Sequence, residues 1–331
     1  MVDGAGRTVV LQRCPERIVV VGRGAFIPLH MLAMFPESRH RLVGYEKRGP
    51  ADEAFLTLID ADYASIPTMA ANPGTEQIAS LRPDLVLTKG RFAGALERAM
   101  AVLDIPVIHL GVENPERFLA DVDNLGRILG NPDRAAAIRT YYRSRLDAID
   151  AVTGALSDAQ RPSVLVLSYN ERGGERCVQV PGNTWIQTLQ VRRSGGRPVW
   201  LDPFKGRHGW RLVGLEQIAA WDPEKIFVIV WYRLDGCRAL KTLAGDRAWQ
   251  HLSAASGGGL HLFPADLYGW DTPDPRWILG MLWSATRIHP ELFAHIQMKQ
   301  EVYAFFSQLY GLDREKVDTH ILPEIALDGC R

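Results

Sequence analysis

Two stretches decide how this chain is read: Gly74-Thr-Glu-Gln-Ile-Ala-Ser-Leu-Arg-Pro-Asp-Leu-Val-Leu87 and Gly214-Leu-Glu-Gln-Ile-Ala-Ala-Trp-Asp-Pro-Glu-Lys-Ile-Phe227. Both contain Gly-x-Glu-Gln-Ile-Ala, and in both a proline follows at the same offset, Pro83 and Pro223, ahead of an apolar run. Each therefore predicts a short helix carrying a glutamate, a turn, and a buried strand. Self-similarity between distant stretches is the mark of a duplicated unit, so the expectation is two α/β lobes built alike.

The flanking sequence extends that pattern. Arg17-Ile-Val-Val-Val-Gly22, Asp84-Leu-Val-Leu-Thr-Lys89 and Ile105-Pro-Val-Ile-His-Leu110 read as strands, with helical spacing over Phe26–Phe35 and Phe92–Leu103. Short apolar runs alternating with helices predict parallel βαβ units covered on both faces. Residues 115–157 carry almost no strand signal. Pro115–Leu129 has helical spacing, and Asn131-Pro132 restarts a helix that the composition carries to Leu156, with proline suited to its first turn. At 1.5 Å per residue that second helix is ~37 Å long, more than one small lobe requires, and reads as a spine. Beyond Pro162 the alternation resumes with strands at Ser163–Ser168 and Lys225–Trp231 and helices at Asn183–Val191, Val213–Ala220, Pro275–Ile288 and Pro290–Tyr310. A polar tail without clear period runs from Asp313 to Arg331. The predicted architecture is α/β: two Rossmann-like βαβ lobes (1–125 and 159–331) joined by one long rigid helix (126–158), with a ligand cleft between the lobes.

Composition narrows the function. The 331 residues hold 38 Lys plus Arg against 38 Asp plus Glu, a formal net charge of zero. No long-range field favours nucleic acid or an anionic membrane as partner. No apolar run approaches the ~18 residues of a membrane span. Met1–Gly6 is polar and glycine-rich, without the basic start and apolar core of a secretory leader, which leaves a cytosolic chain and a leader absent from this sequence as open readings. Cys14, Cys177, Cys237 and Cys330 include no Cys-x-x-Cys pair. One or two disulfides are compatible with the count, but a chain of this size needs none, so unpaired thiols are expected. There is no Gly-x-Ser-x-Gly elbow or P-loop, and Ile27 stands where a Gly-x-Gly-x-x-Gly turn after Gly22-Arg-Gly24 needs its third glycine. These absences point to a binding protein rather than an enzyme.

In α/β sheets ligands bind at the carboxyl ends of the strands. That rule nominates Arg23, Lys89 and Arg91 in the first lobe. In the second it nominates Tyr169, Trp231 and Tyr232, the glycine-flanked loop holding Arg207, His208 and Trp210, and Trp270 before the last helices. Arginine forks hold carboxylates, phosphates and oxyanions, and aromatic walls suit planar or aryl-bearing ligands. The set fits an anionic metal chelate. A bare divalent ion wants clustered His, Asp or Glu, whereas the nine histidines are scattered with no His-x-x-x-His pair. No resident metal or cofactor is expected.

Taken in order, these pieces resemble a known family, the periplasmic binding proteins for cobalamin, haem and iron-siderophores, over about residues 3–312. Carrying the resemblance are Asp3-Gly-Ala-Gly-Arg-Thr-Val9, Pro15–Gly22, Glu76–Leu87, Leu103–Ile108, Leu125-Gly-Arg-Ile-Leu-Gly130, Pro181-Gly-Asn183, Val213–Val230 and Trp270-Asp-Thr-Pro-Asp-Pro-Arg-Trp-Ile-Leu-Gly280 with Trp283 and His289–Phe293. The Trp270–Gly280 piece is similar to the branch that includes iron-complex and molybdate or tungstate binders.

The resemblance implies the substrate-binding component of an ABC importer. Such a protein acts as a monomer in the periplasm or lipid-anchored outside the cytoplasmic membrane, and delivers an iron-siderophore or similar chelate to a permease. It also implies that Glu76 and Glu216, one per lobe, meet the permease. Molybdate or tungstate is the second ligand expectation, and a corrinoid or haem the third. A metallocluster or chelatase-like enzyme, or a sensor with the same fold, is the reading from a different class.

Overall fold

The computed structural model describes residues 1–90, 94–172, 175–201, 209–231, 234–327 and Cys330. The chain forms two compact units. One comprises Met1–Arg143, Pro273–Pro275 and Ala304–Lys316, and the other Ser144–Thr272, Arg276–Tyr303 and Val317–Arg331.

The first unit is built on strands β1 (Ile18–Val20), β2 (Leu42–Glu46), β3 (Thr68–Met69), β4 (Leu85–Lys89) and β5 (Val107–Leu110). Their order is β3-β2-β1-β4-β5, and every pairing is parallel. β1 is wholly apolar and fully buried, as a central strand covered on both faces must be. On one face Val19, Val86 and Val107 pack with Ile78 and Met100 from the Thr75–Ser80 and Gly94–Ala101 helices.

The outer edge of β5 is covered by the N-terminal turn, in which Val2 bridges to Thr8. Gly4 N donates to His109 O at 2.7 Å. Gly4 lies so close that a Cβ there would sit 2.1 Å from Gly111 N, so only glycine allows this approach. The carboxylate of Asp3 receives the amides of Ala5, Arg7 and His109. Covering the edge removes a template for strand-to-strand association.

The second unit contains β6 (Ser163–Arg172), β7 (Glu175–Val180), β8 (Arg197–Pro198), β9 (Arg211–Leu212), β10 (Lys225–Val230) and β11 (Leu260–Leu262). The order is β11-β10-β6-β7-β9, with β8 also on β6. The β11-β10-β6 block is parallel, whereas β6-β7 and β7-β9 are antiparallel. The sequence reading ended the first strand of this unit at Ser168, where the apolar run stops. Backbone pairing with β7 carries it on through polar residues to Arg172, so Tyr169 lies within the strand and not in a loop after it.

The repeated stretches correspond in three dimensions. Gly74 and Gly214 both precede short helices, Thr75–Ser80 and Leu215–Trp221, in extended backbone. Ile78 and Ile218 are the buried members of these helices. Before Pro83 and Pro223 the chain takes a left-handed turn, at Arg82 (φ 48°) and Asp222 (φ 36°), which ends each helix ahead of its proline. The acidic residue after each proline then accepts the amide that leads into the central strand. Asp84 takes Glu16 N at 2.9 Å and Arg17 N at 2.8 Å, and Glu224 takes Ser163 N at 2.9 Å. Next, β4 pairs with β1, and β10 pairs with β6, in parallel register.

The predicted spine is the helix Pro132–Thr153, 22 residues long. It stops short of Leu156: the chain turns at Gly154, and Arg161 Nη2 donates to Thr153 O at 2.8 Å. Its buried residues, Ala135, Ile138, Tyr141, Tyr142, Leu146 and Ile149, follow helical spacing. This helix and Met298–Tyr310 each contribute residues to both units. The predicted Pro290 helix begins only at Met298, because residues 290–295 form turns around buried Phe293. The tail read as aperiodic contains the helix Arg314–His320, packed through Val317.

One cysteine expectation is corrected. Cys237 and Cys330 form a disulfide across 93 residues of sequence, while Cys14 and Cys177 are free. Bridging so long a loop removes considerable freedom from the unfolded chain and suits an oxidising compartment. Reduction, or Cys237→Ser, is expected to cost about 2–5 kcal/mol, seen as a lower melting temperature.

A second prediction concerns Asp121. Burial pushes its carboxyl up to about 7, helped by nearby Asp3 and opposed by the Gly111 amide it accepts. A carboxyl raised on folding binds more protons folded than unfolded between its ordinary value of 3.8 and about 7, so stability falls as pH rises through that window. Asp121→Asn keeps an acceptor for Gly111. It should melt higher than wild type at alkaline pH, by on the order of a few kcal/mol, and like wild type in acid. A constant difference across the range would refute this account.

Candidate functional site

At the carboxyl edge of the first sheet, β1 runs into the turn Gly22-Arg23-Gly24 and the helix Phe26–Ala33. Gly22 has φ 106°, and a Cβ there would meet Thr88 Oγ1 at 2.4 Å, so the turn demands glycine. Its amide donates to Glu46 Oε2 at 2.7 Å. The other oxygen of Glu46 accepts Asn72 N at 3.2 Å and pairs with Arg48 at 2.5 Å. One buried carboxylate at the end of β2 thus ties together the turns that follow β1, β2 and β3.

Arg23 projects from this braced turn. It is exposed and has no hydrogen bond or ion pair among the described residues. Ala25, at the helix start, offers no capping side chain, so the positive end of the helix lies beside Arg23. Lys89 ends β4, packs its Cδ close to Gly24, and pairs with Glu113 at 3.0 Å. In the same region His109 Nδ1 contacts Gly90 O, and its Nε2 faces Glu97 at ion-pair range.

The carboxyl edge of the second sheet is aromatic. Trp231 directly follows β10, Trp210 directly precedes β9, and Trp185 starts the helix Ile186–Arg193. Trp185 and Trp210 stand edge to face with centroids 5.6 Å apart, as do Trp210 and Trp231 at 5.2 Å. All three are half-buried. The arrangement is the favoured one for aromatic quadrupoles. Gly182 lies under Trp185, 3.2 Å from its Nε1 if a Cβ is built.

The nominated residues divide accordingly. Arg23, Lys89, Trp210 and Trp231 occupy these edges. Tyr169 is 1% exposed, and its hydroxyl donates to Glu171 at 2.9 Å. Burial, with Glu171 reinforcing it, raises the phenol's pKa. Trp270 is 0% exposed, and its Nε1 donates to Asp266 Oδ2 at 3.0 Å. The same carboxylate holds buried Arg276 at 2.8 Å. The structure therefore places Tyr169 and Trp270 in the packed interior, where they shape the unit but present no surface. Arg91, Arg207, His208 and Tyr232 lie outside the described residues.

Sequence reasoning did not single out Trp185, Glu46 or Asp271. Trp185 was read as part of a helix start, although it closely follows the quoted Pro181-Gly-Asn183. The two buried carboxylates carry no periodic signal. Among the described residues no three His, Cys, Asp or Glu side chains gather as a metal site, and no helix is long and apolar enough to cross a membrane.

Against known proteins, the model of a family described as periplasmic binding protein matches residues 45–267. The chain belongs to this family. No curated protein matches it, but its fold recurs in solved structures. A periplasmic solute-binding protein from Veillonella parvula shares 21% identity at TM-score 0.76, over 98% of this chain and 97% of that one. The molybdate periplasmic binding protein MolA of Haemophilus influenzae, solved bound to molybdate, shares 15% at 0.73, over 95% and 98%. CeuE of Helicobacter pylori, solved with Ni(II) bound, shares 18% at 0.71, over 94% and 96%. At these identities the likeness is one of fold, and it agrees with the predicted α/β architecture.

The bracing role of Glu46 is testable. Glu46→Ala leaves the Gly22 and Asn72 amides without their acceptor and should cost about 1–3 kcal/mol. It should also speed hydrogen exchange at those two amides, and Glu46→Gln, which keeps one acceptor oxygen, should restore protection at only one of them. Unchanged exchange in the Ala variant would contradict the assignment.

Proposed function

We propose that this periplasmic binding protein is the substrate-binding component of an ABC importer, periplasmic or lipid-anchored outside the cytoplasmic membrane, and that it captures an anionic metal chelate of the iron-siderophore type. The observation that carries the reading is the chemistry at the carboxyl edge of each unit, taken by itself. An unpaired arginine on a braced turn marks one sheet, and a half-buried three-tryptophan cluster marks the other. Cationic donors hold the anionic head of a chelate, and indole faces take its aryl or apolar body. Family membership and the Cys237–Cys330 disulfide support the location.

The mechanism is capture without chemistry. Glu46, Gly22 and the tryptophan stacking hold the contacts in place before the ligand arrives, so little ordering cost falls on binding. Glu76 and Glu216 are both exposed at the second position of matching helices, which supports their reading as the permease-docking pair. A bare oxyanion, molybdate or tungstate, is the second reading. It is favoured by Arg23 beside an uncapped helix start and by the molybdate bound to MolA.

The experiment is thermal unfolding against ferric catecholate and hydroxamate chelates, haemin, cobalamin, molybdate and tungstate. A ligand at 100 times its Kd adds ~2.7 kcal/mol, several degrees for a chain of this size. The expected outcome is a shift with a ferric chelate that both Arg23→Ala and Trp210→Ala reduce. Loss of a charged hydrogen bond at Arg23 is worth about 1.5–3 kcal/mol, roughly ten- to a hundredfold in Kd. A shift with molybdate alone, reduced by Arg23→Ala but not by Trp210→Ala, would establish the oxyanion reading instead. No shift with any ligand would overturn both.

A further inference from the structure

Beside the Lys89 turn runs a chain of charges that the capture reading does not use. Val107 and His109 are two apart on β5 and so lie on the same side of the sheet. Glu97 and Met100 are three apart on the Gly94–Ala101 helix and share one of its faces. Met100 joins the apolar cluster around Val107, and Glu97 meets His109. His109 is fully buried. Its Nδ1 contacts the carbonyl of Gly90, the residue next to Lys89, and its Nε2 faces Glu97 Oε1 at ion-pair range. Both partners can only accept. A neutral imidazole has one N–H and would turn a lone pair toward one of them, whereas the imidazolium has an N–H for each. The other Glu97 oxygen pairs with Arg7 at 3.1 Å, and Arg7 holds Asp3 at 2.6 Å. Charge thus alternates from Asp3 through Arg7 and Glu97 to His109, and sums to zero only when the ring is charged.

We propose that His109, as an imidazolium, is a positioning residue: it holds the Gly90 carbonyl, fixes the turn at the end of β4, and so sets Lys89 at the candidate ligand edge in a proton-dependent way. When the ring loses a proton, the one that remains is drawn to the carboxylate, the stronger acceptor, and Gly90 O loses its donor. The turn is therefore held at lower pH and released as pH rises through the ring's titration. Other charged groups surround this cluster. Asp121, on the Pro115–Leu129 helix, accepts Gly111 N and lies near enough to Asp3 to feel its charge. Arg117, on the same helix, packs its Cδ near Gly111, and Glu113 pairs with Lys89. Among the described residues, only Glu97 pairs with the ring itself. The effect on binding rests on the reading that this edge meets an anionic ligand, but the hold on Gly90 can be tested without one.

Ring and carbonyl can be followed separately by NMR. As pH rises, the imidazole nitrogen signals of His109 should report the loss of one ring proton, and the Gly90 carbonyl carbon should shift at the same pH. The Gly22 carbonyl, which accepts Ala25 N in the neighbouring turn, serves as the reference and should stay still. Glu97→Gln removes the charge that favours the imidazolium and should move both transitions together to lower pH. His109→Asn sets an amide N–H near the place of Nδ1, so it should keep the Gly90 contact and abolish the pH response. If the Asn variant fails to fold, Glu97→Gln still decides. A Gly90 carbonyl that stays still while the ring titrates, or a ring with a single N–H at every pH, would overturn the proposal. A histidine that merely fills the interior would support the melting temperature and leave the Gly90 signal independent of pH.

In a second arm, Kd is measured on both sides of that transition for a hexadentate ferric tris-catecholate and for molybdate. Wild type should bind several-fold more weakly on the high-pH side. His109→Asn, measured alongside to remove any change in the probe itself, should bind alike on both sides. Lys89→Ala should bind more weakly than wild type and also lose the pH response, because His109 acts through Lys89. The same pH response in wild type and His109→Asn would overturn the positioning role. If neither probe binds wild type, the capture reading fails, while the Gly90 signal still decides whether His109 holds the turn.

Discussion

The fold hangs on one interaction made twice: a carboxylate just after a proline accepts the backbone amide that leads into a central strand. Asp84 does this for β1 and Glu224 for β6. A parallel strand cannot be placed by a tight hairpin, because its neighbour arrives through a long crossover. Something must set where the returning strand begins. Here the helix ends, the pre-proline residue turns left-handed, the proline forbids the helix to continue, and the acid grips the neighbouring strand at its start. The β1–β4 and β6–β10 registers follow from that grip, and with them the positions of Arg23 and Lys89 in one unit and Trp231 in the other, all at the far ends of those strands.

This explains why so much of the fold could be read from sequence. The repeat is not decoration on a helix; it is the device itself, with Gly74 and Gly214 opening the turn, Ile78 and Ile218 filling the interior, and Pro83 and Pro223 stopping the helix. The apolar runs at β1, β4 and β10 are central strands with no polar face. What escaped was set by backbone pairing instead of side-chain pattern. β7 and the outer half of β6 are polar, so nothing in their periodicity announced a strand, and the pairing carried Tyr169 inward. The helix expected from Pro290 failed at its start because Phe293 is better buried in a turn than carried on a helix there.

The candidate edges were legible in type but only half legible in place. Listing cations and aromatics after strands finds Arg23, Lys89 and Trp231, because the rule depends only on strand ends. It does not distinguish a tryptophan whose ring faces solvent from one whose N–H is claimed from within. Trp270 belongs to the second kind. Asp266 accepts its indole hydrogen and also holds Arg276, so the Trp270–Trp277 stretch is knitted into the interior by a buried ion pair. Such a pair contributes little net stability but is costly to break, and it fixes the segment that carries Asp271.

Each unit is braced by a buried acid. Glu46 holds the turn from which Arg23 projects, and Asp266 holds the Trp270 indole and the Arg276 guanidinium. Neither acid presents a surface. A binding site that must release its cargo cannot rely on great affinity from deep enclosure. It gains more from contacts already in position, whose cost was met when the chain folded. Buried carboxylates lower the stability of the fold, yet they point hydrogen bonds in one direction and hold them there.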